Sequence, residues 1–305
     1  MSKPIEQLLG KVLITGASGF LGSGLCDRLC KNGVEVHAVS RTERKSDSGV
    51  QWWQGNIEDI QVVQNLFQTI KPNVVFHLSG LVTGAAGSEL VLPTFNSLLV
   101  STVNLLTVTA SSGCDRFVAI ASLEEPEPGQ NEPTPISPYA AAKWASGAYC
   151  RMFHQLYQTP VVLVRPFMTY GPSQNVRKII PSVILSLLQN EAPLLASGQR
   201  QVDWIYIDDV IEGLIIAAQK PSVEGCTFDL GSGILVPIRS VVQQLTNLVN
   251  PQIQPLFGAL PDRPVEKVRL ANTSYTYDKL GWQASICLEK GLENTVNWYK
   301  SHLYG

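Results

Sequence analysis

The chain has 305 residues, 45% of them hydrophobic, which is enough to bury the core of one large domain with a smaller lobe and excludes a disordered or fibrous protein. Its 23 Lys and Arg stand against 25 Asp and Glu with no block of like charge. That balance excludes the electrostatic footprint of a nucleic-acid or anionic-membrane binder, and a small-molecule ligand is expected.

The opening stretch MSKPIEQLLGKVLIT has no basic segment followed by an apolar run and cleavage site, and no uninterrupted apolar stretch reaches the ~18 residues of a membrane span. A cytoplasmic location and no membrane partner are therefore expected. Short apolar, β-branched runs then alternate with longer helical patterns: Val12 to Thr15, Val34 to Val39, Val74 to Leu78, Phe117 to Ala121 and Val161 to Val164. Runs apolar on both faces and separated by crossover helices predict an α/β fold, a doubly wound parallel sheet covered on both sides. From Gly171 onward, prolines at 172, 181, 193, 251, 255, 261 and 264 break the rhythm. They predict a smaller, irregular C-terminal lobe of residues 171–202 and 232–305, added to a sheet domain of residues 1–170 and 203–231. A return strand from Asp203 to Ile207 and a helix from about Asp208 to Lys220 are expected to rejoin the main sheet. The cysteines at 26, 30, 114, 150, 226 and 287 are scattered without metal-ligand spacing and read as free thiols.

At the first strand-to-helix junction the chain reads GASGFLG, Gly16 to Gly22. Gly16, Gly19 and Gly22 allow a tight turn, close approach to a pyrophosphate and packing of helix on strand, while the helix N-terminus offers N–H groups to an anion. Ser18, Phe20 and Leu21 belong to the same cofactor-binding turn. At the end of the second strand, the acidic residue that would hold an NAD ribose is replaced by Ser40, with Arg41, Arg44 and Lys45 following. Guanidinium groups there suit a 2′-phosphate, so NADP(H) is expected rather than NAD(H).

SPYAAAK places Tyr139 and Lys143 four apart on one helix face, with Ser137 as N-cap and Pro138 in the first turn. The Lys143 ammonium and the helix N-terminus are expected to lower the phenol of Tyr139 from its free pKa of ~10, making it a proton donor to a carbonyl under reduction. Ser122, just past the strand Phe117 to Ala121, is placed to hold the same oxygen. Tyr275 and Lys279 repeat the spacing but lie in the irregular lobe. His37 and His77 fall in strands and His154 and His302 on helices, all read as structural. Glu124, two residues past Ser122, is either a base or solvated beside Glu125 and Glu127.

In combination these motifs resemble the extended short-chain dehydrogenase/reductase family, which groups nucleotide-sugar epimerases, dehydratases and reductases on a Rossmann fold, and the likeness runs nearly end to end. GNIED (Gly55 to Asp59), VVFHLSG, RPFMTYGP, KIIP, VDWIYIDDV and LGW match the family pattern as well. The resemblance implies that Asn56 and Ile57 line the adenine, that Leu78, Ser79, Gly80 and Ile120 flank the cofactor, and that Pro166 and Phe167 reach the nicotinamide. It places Thr83, Ser122, Thr169, Lys178 and Ile180 on the substrate; the usual substrate-phosphate Arg is Val202 here, and Arg200, two residues earlier on the same strand face, is the expected substitute. RPVE, Arg263 to Glu266, and the SR after the second strand are most similar to reductases of GDP-4-keto-6-deoxymannose and their dehydratase relatives, where the Arg and Glu of this motif contact the nucleotide.

By that likeness NADPH reduces carbon 4 of a 4-keto-6-deoxyhexose carried on a nucleotide. The alternatives are a 4,6-dehydratase or epimerase with a tightly bound, recycled cofactor and Glu124 as base, and a non-catalytic NADP-sensing protein. A homodimer through the helices near Asn96 to Ser111 and Ser137 to Tyr157 is also implied. The family pattern is departed from at Leu123, Glu124, Glu125 and Pro126, at Val202, and at Met168 and Thr169.

Overall fold

A computed structural model describes residues 9–45, 49–126, 133–262 and 268–304. The strands are β1 (Lys11–Thr15), β2 (Glu35–Ser40), β3 (Val50–Gln54), β4 (Val74–His77), β5 (Arg116–Ile120), β6 (Val161–Pro166), β7 (Met168–Tyr170), β8 (Leu194–Leu195), β9 (Gln201–Tyr206), β10 (Thr227–Leu230), β11 (Leu235–Pro237) and β12 (Leu256–Phe257). The helices are α1 (Phe20–Lys31), α2 (Ile60–Ile70), α3 (Ser88–Ser112), α4 (Pro138–Tyr157), α5 (Ile179–Leu188), α6 (Ile207–Gln219), α7 (Ile238–Val249), α8 (Thr273–Leu280) and α9 (Leu288–Tyr304).

The main sheet has seven strands in the order β10-β6-β5-β4-β1-β2-β3, with β1 to β6 running parallel. The α/β, doubly wound fold expected from sequence is the fold found. Its five central strands are buried along nearly their whole length because both faces are covered, which is why they read as unbroken apolar runs. The chain lays β1, β2 and β3 to one side and returns to place β4 on the other side of β1. The carboxyl ends of β1 and β4 thus flank the switch point at which open α/β sheets bind ligands. The edge strand β3 is absent from the sequence prediction; VQWWQ mixes exposed glutamines with half-buried tryptophans, so it has no apolar run to find.

The chain divides into two compact units, Met1–Arg165 with Ile211–Phe228, and Pro166–Val210 with Asp229–Gly305. The boundaries drawn from sequence fell at 170, 203 and 231. In the first unit Leu13, Val75, Phe117 and Leu163 of the sheet pack with Val63, Phe67, Leu105 and Phe153 of the helices. Helix α3 is long and apolar enough to cross a membrane by length and composition alone, although its Ser, Thr and Asn residues break any uninterrupted apolar run. Here Leu98, Leu105 and Leu106 bury its inner face against α2 and α4. Its middle, Phe95–Val100, is a π-helical turn.

In the second unit β9 is the middle strand of a separate three-stranded sheet, antiparallel to β11 and parallel to β7. This corrects the expectation that the Asp203 to Ile207 strand rejoins the main sheet; β10, after α6, does so. A short buried run beside a helix carries no label of the sheet it joins. What commits β9 is Asp203, whose buried carboxylate accepts from Ser232 N and Oγ at 2.7 Å, Gly233 N at 3.0 Å and Ala271 N at 3.1 Å. Asp209 organises the next loop in the same way, accepting from Ser285 N and Oγ and Ile286 N.

Candidate active site

Gly16 has φ +72°, and a Cβ there would lie 2.7 Å from the backbone of Leu78 and Ser79. At Gly22 a Cβ would lie 2.1 Å from the Gly16 carbonyl oxygen. The turn is therefore closed on itself in a way that only glycine permits. Gly19 N-caps α1 with no side-chain hydrogen bond, so the first amides of this 12-residue helix face the turn without a side-chain acceptor from the cap. This cradle fits a dinucleotide pyrophosphate, with Ser18 exposed and Phe20 and Leu21 half-buried around it. A nicotinamide dinucleotide bound there supplies a hydride donor or acceptor.

Behind the turn runs a buried hydrogen-bond chain that sequence reasoning missed. The Thr102 hydroxyl donates to the Leu98 carbonyl of the π-turn at 2.5 Å, so it must accept from His77 Nε2–H, 2.9 Å away. His77 Nδ1 then accepts from the Thr15 hydroxyl at 2.8 Å, and Thr15 Oγ1 accepts from Ser79 N–H at 3.3 Å. Burial, with the Lys143 charge adding, pushes His77 down to about 3, so it is a neutral imidazole whose two nitrogens have fixed roles. Through these bonds His77 joins both strands of the switch point to α3.

At the end of β2, Ser40 is half-buried and Arg41 and Arg44 are exposed. The Arg44 guanidinium lies 5.2 Å from the Trp52 ring centroid, and Gln54 donates to the Arg41 carbonyl at 3.4 Å. Gly55 N–H donates to the Ser40 carbonyl at 2.9 Å, which brings the Asn56–Ile57 turn beside it. Asn56 is exposed, whereas the Ile57 side chain packs into the core and its carbonyl accepts from Asn104. Leu78, Ser79, Gly80 and Ile120 lie half-buried just beyond β4 and at the end of β5. Thr83 is half-buried in the following loop and accepts from Ala85 N–H at 3.2 Å.

Ser137 caps α4 as expected, accepting from Ala140 N–H at 3.1 Å, and its hydroxyl donates to Glu124 Oε2 at 3.2 Å. Ser122 Oγ accepts from Glu124 N–H at 3.1 Å and is hydrogen-bonded to the Tyr139 phenol. Lys143 Nζ donates to the Ile120 carbonyl at 2.8 Å. Ser122, Glu124, Tyr139 and Lys143 thus meet at the carboxyl end of β5 within one unit. The expected lowering of the Tyr139 phenol is corrected: burial pushes it up to about 12, the Ser122 hydrogen bond works against this, and the charges of Glu124 and Glu125 add to the rise. The sequence counted the helix N-terminus and Lys143, but tertiary packing supplies desolvation and two carboxylates instead. Burial likewise pushes the Lys143 ammonium down to about 8. Tyr139 is therefore a neutral, protonated phenol.

The remaining residues assigned from sequence lie in the second unit. Phe167 is buried and Pro166 half-buried; Thr169 in β7 donates to the Phe167 carbonyl at 3.0 Å. Lys178 is exposed at the N-cap of α5, Arg200 is half-buried just before β9, and the Ile180 side chain is inside that unit's core, which leaves only its backbone for a ligand. Arg263 and Glu266 lie outside the described residues. Tyr275 is on α8 in this second unit. All six cysteines are free, and no group of three or more His, Cys, Asp or Glu residues is arranged for a metal among the described residues.

A glycine-cradled helix N-terminus at a doubly wound switch point, beside a joined Ser, Tyr and Lys, defines the class of nicotinamide-dinucleotide oxidoreductases of the extended short-chain dehydrogenase/reductase type. The chain matches the NAD dependent epimerase/dehydratase family over residues 12–231, and belongs to it. It is 27% identical to the dTDP-glucose 4,6-dehydratase of Haemophilus influenzae, over 94% of this chain and 97% of that one. With the UDP-glucuronate 4-epimerase of Thermodesulfobacterium geofontis it shares 28% identity over 97% and 98%. The solved UDP-glucose 4-epimerase of Thermotoga maritima superposes with a TM-score of 0.85 at 24% identity, covering 96% and 99%, which shows the fold.

Proposed function

We propose that this enzyme exchanges a hydride with carbon 4 of a nucleotide-linked hexose and recycles its cofactor, acting as a 4,6-dehydratase or 4-epimerase. The observation that carries this reading is the Glu124 carboxylate, held by Ser137 at the N-terminus of α4 and close enough to raise the Tyr139 phenol by its charge. For oxidation the Tyr139 phenol must first have lost its own proton; its oxygen, steadied by Ser122, then takes the proton of the carbon-4 hydroxyl as the hydride leaves and returns it when the 4-keto group is reduced, and Lys143 would hold the nicotinamide ribose. Oxidation at carbon 4 acidifies the neighbouring C–H, and Glu124 stands as the second base that a dehydration needs. Relatives of both activities agree with it.

A second reading, net reduction of a 4-keto-6-deoxyhexose by NADPH, is favoured by Ser40, Arg41 and Arg44 in place of an acidic residue and by the protonated phenol of Tyr139. No reductase of that kind carries the reading among the relatives reported above. One experiment separates the two: GDP-, CDP-, UDP- and dTDP-hexoses are incubated with the protein as isolated, and with NADPH plus the 4-keto-6-deoxy sugar. Loss of water or epimerisation without added cofactor supports recycling; stoichiometric NADPH oxidation supports reduction.

A homodimer forms part of the proposal. Val91 and Phe95 on α3 are exposed and line an apolar groove of about 600 Å³, and Leu92 on α3 and Trp144 and Tyr149 on α4 are further exposed apolar side chains of the same two helices. Light scattering checks it, and charged substitutions at Leu92 and Phe95 are expected to give monomers.

A further inference from the structure

On α4, Tyr139, Lys143, Gly147 and Arg151 follow at intervals of four and share one helix face. Gly147 leaves a gap in that row. The carboxylate of Glu125 runs into it: a Cβ on Gly147 would lie 3.7 Å from Glu125 Oε2 and 3.4 Å from Arg151 Nη1. Glu125 is buried, and its Oε1 accepts from Ser122 N–H at 2.6 Å. A carboxylate brought out of water this far needs cations and donors around it; the Ser122 N–H is one donor, and Lys143 and Arg151 stand one helical turn to either side of Gly147.

The geometry points to Glu125 as a positioning residue, the counter-charge to Lys143 that clamps the Ser122 turn against α4. This rests on the Ser122, Tyr139 and Lys143 site proposed above. Electrostatically, Glu125 is the largest influence favouring the charged form of Lys143 against its burial. The other groups within reach are the Ile120 carbonyl on β5, His77 on β4 and Cys150 on α4. Burial keeps His77 neutral and holds the Cys150 thiol protonated, at about 12, so Glu125 is the anion of the set.

Competitive labelling of amines in the folded protein, read by peptide mass spectrometry across pH, measures the titration of Lys143 without reference to turnover. Glu125→Gln is expected to move its midpoint down by about one pH unit or more, and Glu125→Asp to restore most of it. A midpoint in Glu125→Gln within about 0.3 unit of the wild type overturns the assignment. Because no substrate enters the measurement, failure of the wild type to turn over any sugar nucleotide would count against the proposed function and not against this role. If Glu125→Gln does not fold, Gly147→Val fills the gap from the helix side and is read by the same two outcomes.

Discussion

The hydroxyl of Thr15 donates to Nδ1 of His77 at 2.8 Å, tying together the ends of the two strands that flank the switch point. His77→Asn leaves the Thr15 and Thr102 hydroxyls without their shared partner and is expected to cost about 1–3 kcal/mol of stability. In the fold this imidazole takes a proton only near about 3, while in the unfolded chain it does so near 6.5. Its neutral form therefore contributes full stability above about pH 6.5, and that contribution is lost as the pH falls toward 3. Thermal melts across that window are expected to show a shallower acid limb for His77→Asn than for the wild type; parallel limbs would contradict the assignment.

Tyr139→Phe removes the proton donor but keeps the ring in its buried place. Turnover is expected to fall by roughly 10²–10⁴-fold, the usual size of an acid–base contribution. Cofactor affinity, followed by fluorescence titration, should stay within about threefold, because binding rests on the glycine turn and not on the phenol.

The three glycines of the turn differ in the space around them, and alanine substitutions should rank accordingly. Gly22→Ala, at 2.1 Å from a backbone oxygen, and Gly16→Ala, at 2.7 Å with φ +72°, are expected to abolish cofactor binding and lower Tm by several degrees. Gly19→Ala, at 3.2 Å, should be the mildest. Equal losses at all three would show that the close approach does not govern the site.

Arg41→Ala and Arg44→Ala test the cofactor preference. Each is expected to weaken NADPH about tenfold or more while leaving NADH nearly unchanged, since a lost charge-assisted contact to the 2′-phosphate is worth about 1.5–3 kcal/mol. Calorimetric titration with both cofactors decides it, and equal losses for the two would overturn the expectation of NADP.

The sequence alone determined the βα rhythm, the glycine turn and the Tyr139–Lys143 face, because each depends on local rules: strand burial, permissive φ, and the four-residue spacing of a helix. Ser137 as N-cap and the free cysteines were legible for the same reason. Tertiary structure decided what depends on distant partners. The partners of Asp203, beyond the reach of periodicity, draw β9 into its own sheet. Glu125, which no spacing singles out, is buried where a glycine on α4, 22 positions onward, leaves room for it. The phenol of Tyr139 is raised and not lowered, since desolvation and nearby carboxylates are properties of packing that no spacing along the chain encodes.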